Sequence, residues 1–285
     1  MTNLPEPEPQ RPPREEEVWY CYRHPERKSG VRCRRCERPI CPECMTQASV
    51  GFQCPSCAKG GPAVRTLRSL RIEPYVTYAI IAACALVFLP SLGGGGTFGR
   101  GGSQLAEDLA LRGPALADGE WWRLVTSGFL HFGLIHIGFN MLILFQLGQM
   151  LEPTLGRLRF AALYTTALLG GALGVMVLDP NSLTAGASGA VYGLMGAAFL
   201  GMRRRGVDPM QSGIGGLIMV NLFITFIIPG ISIGGHLGGL AAGGAAGAIL
   251  FATEDGDRRP VGLAACAGLA AVILLASLYV ASNPL

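Results

Sequence analysis

The sequence predicts an all-α membrane protein of seven helical spans, preceded by a small cysteine-rich module. Three observations lead there. After Arg71 the chain consists mostly of apolar blocks long enough to cross a bilayer, parted by short polar or Pro/Gly-rich joints. Seven of the nine cysteines crowd into residues 21–57. Two of the apolar blocks carry glycines every fourth residue, the spacing that lets membrane helices approach closely.

The N-terminal stretch MTNLPEPEPQRPPREEE is rich in proline and charge, so residues 1–17 are expected to be a disordered tail. It lacks the apolar core of a signal peptide, and no cleavage on export is expected. The net charge of +4 in 285 residues is modest and does not point to nucleic acid as a partner.

Residues 18–60 form the cysteine module. Its donors fall as Cys21-x-x-His24, Cys33-x-x-Cys36, Cys41-x-x-Cys44 and Cys54-x-x-Cys57. Each short turn presents two donors to one ion, which suits tetrahedral zinc. A disulfide framework would explain neither His24 in the eighth place nor an odd number of thiols. The other two cysteines, Cys84 and Cys266, sit inside apolar blocks.

A basic juxtamembrane linker, residues 61–73, leads to spans expected at about 74–90, 128–150, 158–178, 187–202, 213–229, 234–252 and 260–281. A long Gly-rich joint, SLGGGGTFGRGGSQ, separates the first two and runs to GEWWRL, where Trp121 and Trp122 suit an interfacial belt. Acidic residues fall in the joints. Arg65, Arg68 and Arg71, Arg157 and Arg159, Arg203 to Arg205, and Arg258 and Arg259 all occupy joints of one side if seven spans are counted. The opposite short joints, around Asp179-Pro180-Asn181 and Pro229-Gly230, have no basic residue. The positive-inside rule then places the N-terminus in the cytoplasm of a multi-pass cell-membrane protein, a reducing compartment that suits a thiolate zinc site.

The fourth span holds Gly189, Gly193, Ala197 and Gly201, and the sixth holds Gly235, Gly239, Gly243 and Gly247. Ser188 precedes the first ladder, and His236 follows the first rung of the second. If the ladders face each other, a hydroxyl and an imidazole meet near the outer surface and share a hydrogen bond. Each alone has a plainer reading, since a membrane serine commonly bonds back to its own helix. Together, at matching depth, they suit a nucleophile and its general base. His136 and Asn140 lie four apart on one helical face and can both donate to a developing oxyanion. A metal site there would want further ligands, and the spans offer only His236 beyond that pair. Tyr192 lies one turn after Ser188, either as an interfacial aromatic or as a supporting group.

Gly186-Ala187-Ser188-Gly189 followed by Tyr192, His236 in GGHLGGLAAG, His136 and Asn140 in HIGFN, and EWWR before the second span together resemble the rhomboid family of intramembrane serine proteases. The resemblance covers residues 74–252 as a six-span core and leaves residues 253–285 as an added seventh span. It implies Ser188 as nucleophile and His236 as base, with no acidic third member and no cofactor for catalysis. It also implies an oxyanion hole of His136, Asn140 and the Ser188 backbone amide, and Tyr192 packed against His236. Residues 18–60 resemble a B-box-like zinc finger, whose cross-brace implies Cys21, His24, Cys41 and Cys44 on one structural zinc and Cys33, Cys36, Cys54 and Cys57 on a second. The implied activity is hydrolysis of peptide bonds in or near transmembrane segments of membrane-anchored substrates, within the lipid bilayer and near the extracytoplasmic face. The zinc module is left free for a cytoplasmic partner. Two other readings compete: a non-proteolytic rhomboid-like binder of membrane proteins, and a small-solute transporter. The filled Ser/His pair argues against the first, and polar groups gathered near one face, not at the midplane, argue against the second.

Overall fold

A computed structural model describes residues 18–59, 73–93 and 104–283. The expected tail at 1–17, residues 61–72 of the basic linker and most of the Gly-rich joint lie outside the described residues. The chain falls into two units, divided between Leu70 and Arg71.

The first unit is three small antiparallel hairpins: β1 (Trp19–Tyr20) with β2 (Lys28–Ser29), β3 (Val31–Arg32) with β4 (Pro39–Ile40), and β5 (Thr46–Gln47) with β6 (Phe52–Gln53). A 3-10 turn at Pro42–Cys44 and a short helix, α1 (Pro55–Lys59), complete it. Its buried core is Cys21, Cys33, Cys41, Cys44, Cys54 and a single aliphatic residue, Ile40. So little apolar surface cannot offset chain entropy, which is why such a unit needs a metal or disulfides.

The second unit is helical. It begins with α2 (Tyr75–Gly93), then three short helices, α3 (Gln104–Leu109), α4 (Gly113–Ala117) and α5 (Arg123–Thr126). The long helices follow: α6 (Leu134–Leu155), α7 (Arg157–Leu178), α8 (Ser188–Arg204), α9 (Ile214–Ile227), α10 (Ile233–Ala252) and α11 (Arg259–Ser282). Among the described residues, four helical stretches are long and apolar enough to cross a membrane: α6, α7, α10 and Gly256–Ser282. Tyr75–Leu89 and α9 are shorter apolar helices. Ile135 and Phe139 of α6, Phe223 and Phe226 of α9, and Val272 and Leu275 of α11 are exposed, as lipid-facing residues of a multi-pass membrane protein are.

Two expectations need correction. The second span starts at Leu134, not near 128, because Ser127–Phe129 form a 3-10 turn and Gly133 takes φ +122° at the helix entrance. It also runs on to Leu155, which brings Glu152 inside the helix, so acidic residues are not confined to joints. Glu152 is completely buried and accepts hydrogen bonds from the Val76 and Thr77 amides, at 2.9 and 2.8 Å, and from the Thr77 hydroxyl at 2.7 Å. Those amides belong to the first turn of α2, where backbone donors lack helical partners and a carboxylate is favoured. The joint before the second span also carries the short helices α3 to α5. Leu111, Leu116 and Leu124 from α3 to α5 and their connections pack with Leu169 and Val175 of α7.

The helices at the centre are α7, α8 and α10. A Cβ on Gly239 would overlap the Gly189 backbone, one on Gly243 the Gly193 backbone, and one on Gly247 would sit 2.6 Å from the Ala197 Cβ. The paired numbers rise together, so α8 and α10 run parallel with the ladders face to face. The fourth rung departs from the pattern: Gly201 lies against the Phe251 ring. A second face of α10 packs on α7, with Gly234 and Gly238 against Gly174 and Gly170, in antiparallel sense.

Gly243→Ala is therefore expected to destabilise the bundle by about 1–3 kcal/mol through overpacking. Gly216→Ala on α9, where a Cβ meets nothing, should be neutral or slightly stabilising. Thermal unfolding in detergent compares the two, and equal midpoints would contradict the packing.

Candidate active site

The segment before α8 is tied down by backbone bonds. Leu111 and Thr184 exchange hydrogen bonds of 2.8 and 2.9 Å, the Gly113 amide donates to Pro180 at 2.7 Å, and the Gly186 amide donates to Ser127 at 2.9 Å. Gly186 takes φ +134°, which disfavours any side chain. A Cβ there would also lie 2.7 Å from Nε2 of His136 and 3.6 Å from the Ser188 hydroxyl. Glycine thus allows the turn that presents Ser188 at the first position of α8. Its amide is one of the helix's unpaired N-terminal donors, at the positive end of the macrodipole.

His236 lies in the first turn of α10, whose N-terminus is capped by the Ser232 hydroxyl accepting from the Gly235 amide at 3.0 Å. His236 is buried, at 8% exposure. It stacks on Tyr192 with ring centroids 4.0 Å apart and planes 15° from parallel. Its Nδ1 lies 2.7 Å from the Thr225 hydroxyl of α9, and Tyr192 reaches the same hydroxyl at 2.6 Å.

Two residues of α6 complete the surroundings. The Phe132 amide donates to Nδ1 of His136 at 3.4 Å, which leaves the proton on Nε2, the nitrogen beside Gly186. Asn140 is buried and donates one amide hydrogen to the His136 carbonyl at 2.9 Å, keeping its second hydrogen available. A cavity of roughly 1130 Å³ is lined by Ser188, His236, Tyr192, His136, Asn140 and Gly186 together. The direct Ser188–His236 hydrogen bond expected from the ladders is not among the bonds the described residues make. The two share the lining of one cavity instead.

Sequence reasoning missed Thr225 and the role of His131, whose Nε2 accepts the Ala187 amide at 3.4 Å just before Ser188. Thr225 stands as one hydroxyl in an apolar run, with only the polar Asn221 one turn earlier as a hint.

In the first unit the eight donors form two clusters, Cys21, His24, Cys41 and Cys44, and Cys33, Cys36, Cys54 and Cys57, with the ligand atoms of each within 4.8 Å of one another. The edges suit a tetrahedral ion. Cys36 and Cys54 sulfurs are 3.8 Å apart, and His24 Nδ1 lies 3.3 Å from the Cys41 sulfur and 3.5 Å from that of Cys44. A zinc–sulfur bond of about 2.3 Å implies sulfur–sulfur edges of about 3.8 Å. Burial works to raise the Cys21 thiol, but backbone hydrogen bonds at Cys41, Arg23 and His24 outweigh it and leave it lowered to about 6. Cys33 is likewise lowered to about 6 against its burial, by the backbone at Cys54, Arg35 and Cys36. Hydrogen bonds with Cys54 and Cys36, together with burial, push Cys57 up to about 12. Four neighbouring thiols cannot all ionise unaided, and a divalent cation removes that conflict.

The membrane unit is thus a polytopic helical bundle with a serine at one helix N-terminus and a histidine from another helix in a common cavity. Residues 118–253 match the Rhomboid domain, and over that region the chain is similar to proteins of the rhomboid family. The rhomboid protease GluP of Bacillus subtilis is 35% identical over 188 residues, covering 65% of this chain and 36% of that protein. Rhomboid-like protease 1 of Toxoplasma gondii is 34% identical over 171 residues, 57% of this chain and 58% of that protein. The putative rhomboid protease YdcA of Bacillus subtilis is 35% identical over 132 residues, 45% of this chain and 66% of that protein. The chain therefore spans between about a third and two thirds of the length of these relatives.

Reduced full-length protein is expected to hold two zinc ions by plasma mass spectrometry, and Cys33→Ser to hold one. One ion in the wild type would contradict the two-cluster arrangement.

Proposed function

We propose that the protein is an intramembrane serine endopeptidase that hydrolyses peptide bonds in or near transmembrane segments of membrane-anchored proteins. The observation that carries this reading is the convergence of Ser188, His236, His136 and Asn140 on one cavity, with Ser188 at a helix N-terminus. In the reaction, Nε2 of His236 takes the Ser188 proton as the hydroxyl oxygen attacks the scissile carbonyl. His136 Nε2–H, the free hydrogen of Asn140 and the Ser188 amide donate to the oxyanion, aided by the α8 dipole. The imidazolium then protonates the leaving amine, and water hydrolyses the acyl-enzyme by the same proton route. The substrate must present an extended segment, because a helix hides its carbonyls in its own hydrogen bonds. Printed names of the similar proteins from Bacillus subtilis and Toxoplasma gondii call them proteases, which supports the same chemistry.

The proposed organisation is a tail (1–17), a zinc module (18–60), a basic linker (61–73), a six-span core (74–252) and a seventh span (253–285). The module would hold two structural zinc ions, since all four positions of each cluster are filled by protein, and would be the surface for a cytoplasmic partner. Catalysis would open to the extracytoplasmic side. Ser188 and His236 begin their helices, and Arg157, Arg203 to Arg205 and Arg259 lie at helix ends remote from them. Arg123, which lies on the Ser188 side, is neutralised by Glu120 at 2.6 Å.

Ser188→Ala and His236→Ala are each expected to abolish cleavage of a test transmembrane substrate in detergent while the protein stays folded. The double variant should be no worse than either single one, because the pair acts as a unit. Undiminished cleavage by Ser188→Ala would defeat the assignment.

Asn140→Ala should lower turnover on the order of a hundredfold without eliminating it, the effect of losing one oxyanion donor. Unchanged turnover, measured on the same substrate, would remove Asn140 from that role.

A further inference from the structure

Helix α9 carries its side chains in an unusual sense. Of its fourteen residues only Gly215 and Thr225 are buried, and Thr225 is 2% exposed, while Phe223, Phe226 and Ile227 face outward. A buried hydroxyl in a membrane helix normally closes on its own backbone. Thr225 does so, with 2.8 Å to the Asn221 carbonyl, but the same oxygen also meets His236 Nδ1 at 2.7 Å and the Tyr192 hydroxyl at 2.6 Å.

A proton count decides who donates. A carbonyl can only accept, so the single hydroxyl hydrogen of Thr225 goes to Asn221. The two remaining bonds must then be accepted by the Thr225 oxygen, which has two lone pairs. Tyr192 donates one and His236 donates the other from Nδ1. We infer that Thr225 is a positioning residue that fixes His236 in the Nδ1–H tautomer, so that its bare Nε2 is the nitrogen presented to Ser188.

This rests on the Ser188–His236 reading and supplies what that pair lacks. Among the described residues no carboxylate touches His236, so orientation of the ring falls to a neutral hydroxyl on one edge and the Tyr192 face. Thr225 cannot neutralise the imidazolium that forms, but its lone pair accepts a stronger, charge-assisted bond at that moment. The carbonyl of Asn221 holds the threonine rotamer, so the polarity of the chain runs one way: Tyr192 and His236 donate to Thr225, and Thr225 donates to Asn221.

The test uses the full-length protein in detergent, with wild type, Thr225→Val and Thr225→Ser compared. The sequence has four histidines, so ¹⁵N-histidine spectra are simple, and the His236 signal is assigned by its loss in His236→Ala. Wild type should show His236 protonated at Nδ1. Thr225→Val keeps the shape but loses the acceptor; it should give a mixed tautomer and a kcat about ten- to a hundredfold lower, with KM little changed. Thr225→Ser should restore the tautomer and bring kcat to within a few fold of wild type. A wild-type His236 protonated at Nε2 would overturn the inference, whether or not Thr225→Val folds. So would a wild-type kcat in Thr225→Val, or a folded Thr225→Ser as impaired as the valine variant. Persistent cleavage by Ser188→Ala would instead defeat the dyad, and the tautomer measurement would still stand on its own.

Discussion

Gly189 and Gly193 of α8 lie against Gly239 and Gly243 of α10 with no side chain between them. In lipid there is no hydrophobic drive to press helices together, so contact must come from close backbone packing. Added methyls at Gly189, Gly239 and Gly243 would meet main chain, and one at Gly193 would meet the Ala167 Cβ and the Gly239 carbonyl, none of them the flexible end of a side chain. The contact fixes the separation of the two helices at their N-terminal ends, where Ser188 and His236 sit. The second glycine face of α10, against Gly170 and Gly174 of α7, holds the same helix from the other side. With α10 fixed on two faces, the histidine on its first turn has one position to occupy.

The remaining groups of the cavity are placed by weaker but directed interactions. Gly186 brings the chain into Ser188 through a left-handed turn, and its missing side chain leaves room for the His136 ring. Thr225 and Tyr192 hold two sides of His236. At the far end of α6, buried Glu152 caps α2 and so joins α2 to α6. A carboxylate in such a place is tolerable because three donors satisfy it. Asn140 and Glu152 are twelve residues apart on one helix, about 18 Å, so this charge has no part in the cavity.

Much of this was legible in the sequence. The ladders, the serine and the histidine beside them, and the paired cysteines all depend on local spacing, and the structure brings each set together. The helix ends were less legible. Within residues 128–133 only Gly128 and Gly133 hint at a turn, and glycines recur throughout the apolar blocks, so the positive φ of Gly133 could not be told from the sequence. Glu152 looked like a joint residue because its three donors come from a helix some 75 positions earlier. Thr225 was invisible for the same reason, since its partners come from α8 and α10. The α7–α10 contact was missed although Gly170 and Gly174, and Gly234 and Gly238, are also four apart, because glycines on two faces of α10 overlap in the sequence and the partner of each face is set by tertiary packing. The cysteine module needed least from the fold, as its donors carry their own geometry.

The most direct measurement is to treat the folded protein with a fluorophosphonate and locate the adduct by peptide mass spectrometry. A serine activated by a neighbouring imidazole should be modified, and an isolated membrane hydroxyl should not. The expected result is a single adduct on Ser188 that disappears in His236→Ala. An unlabelled Ser188 in protein that still cleaves a transmembrane substrate would contradict the account.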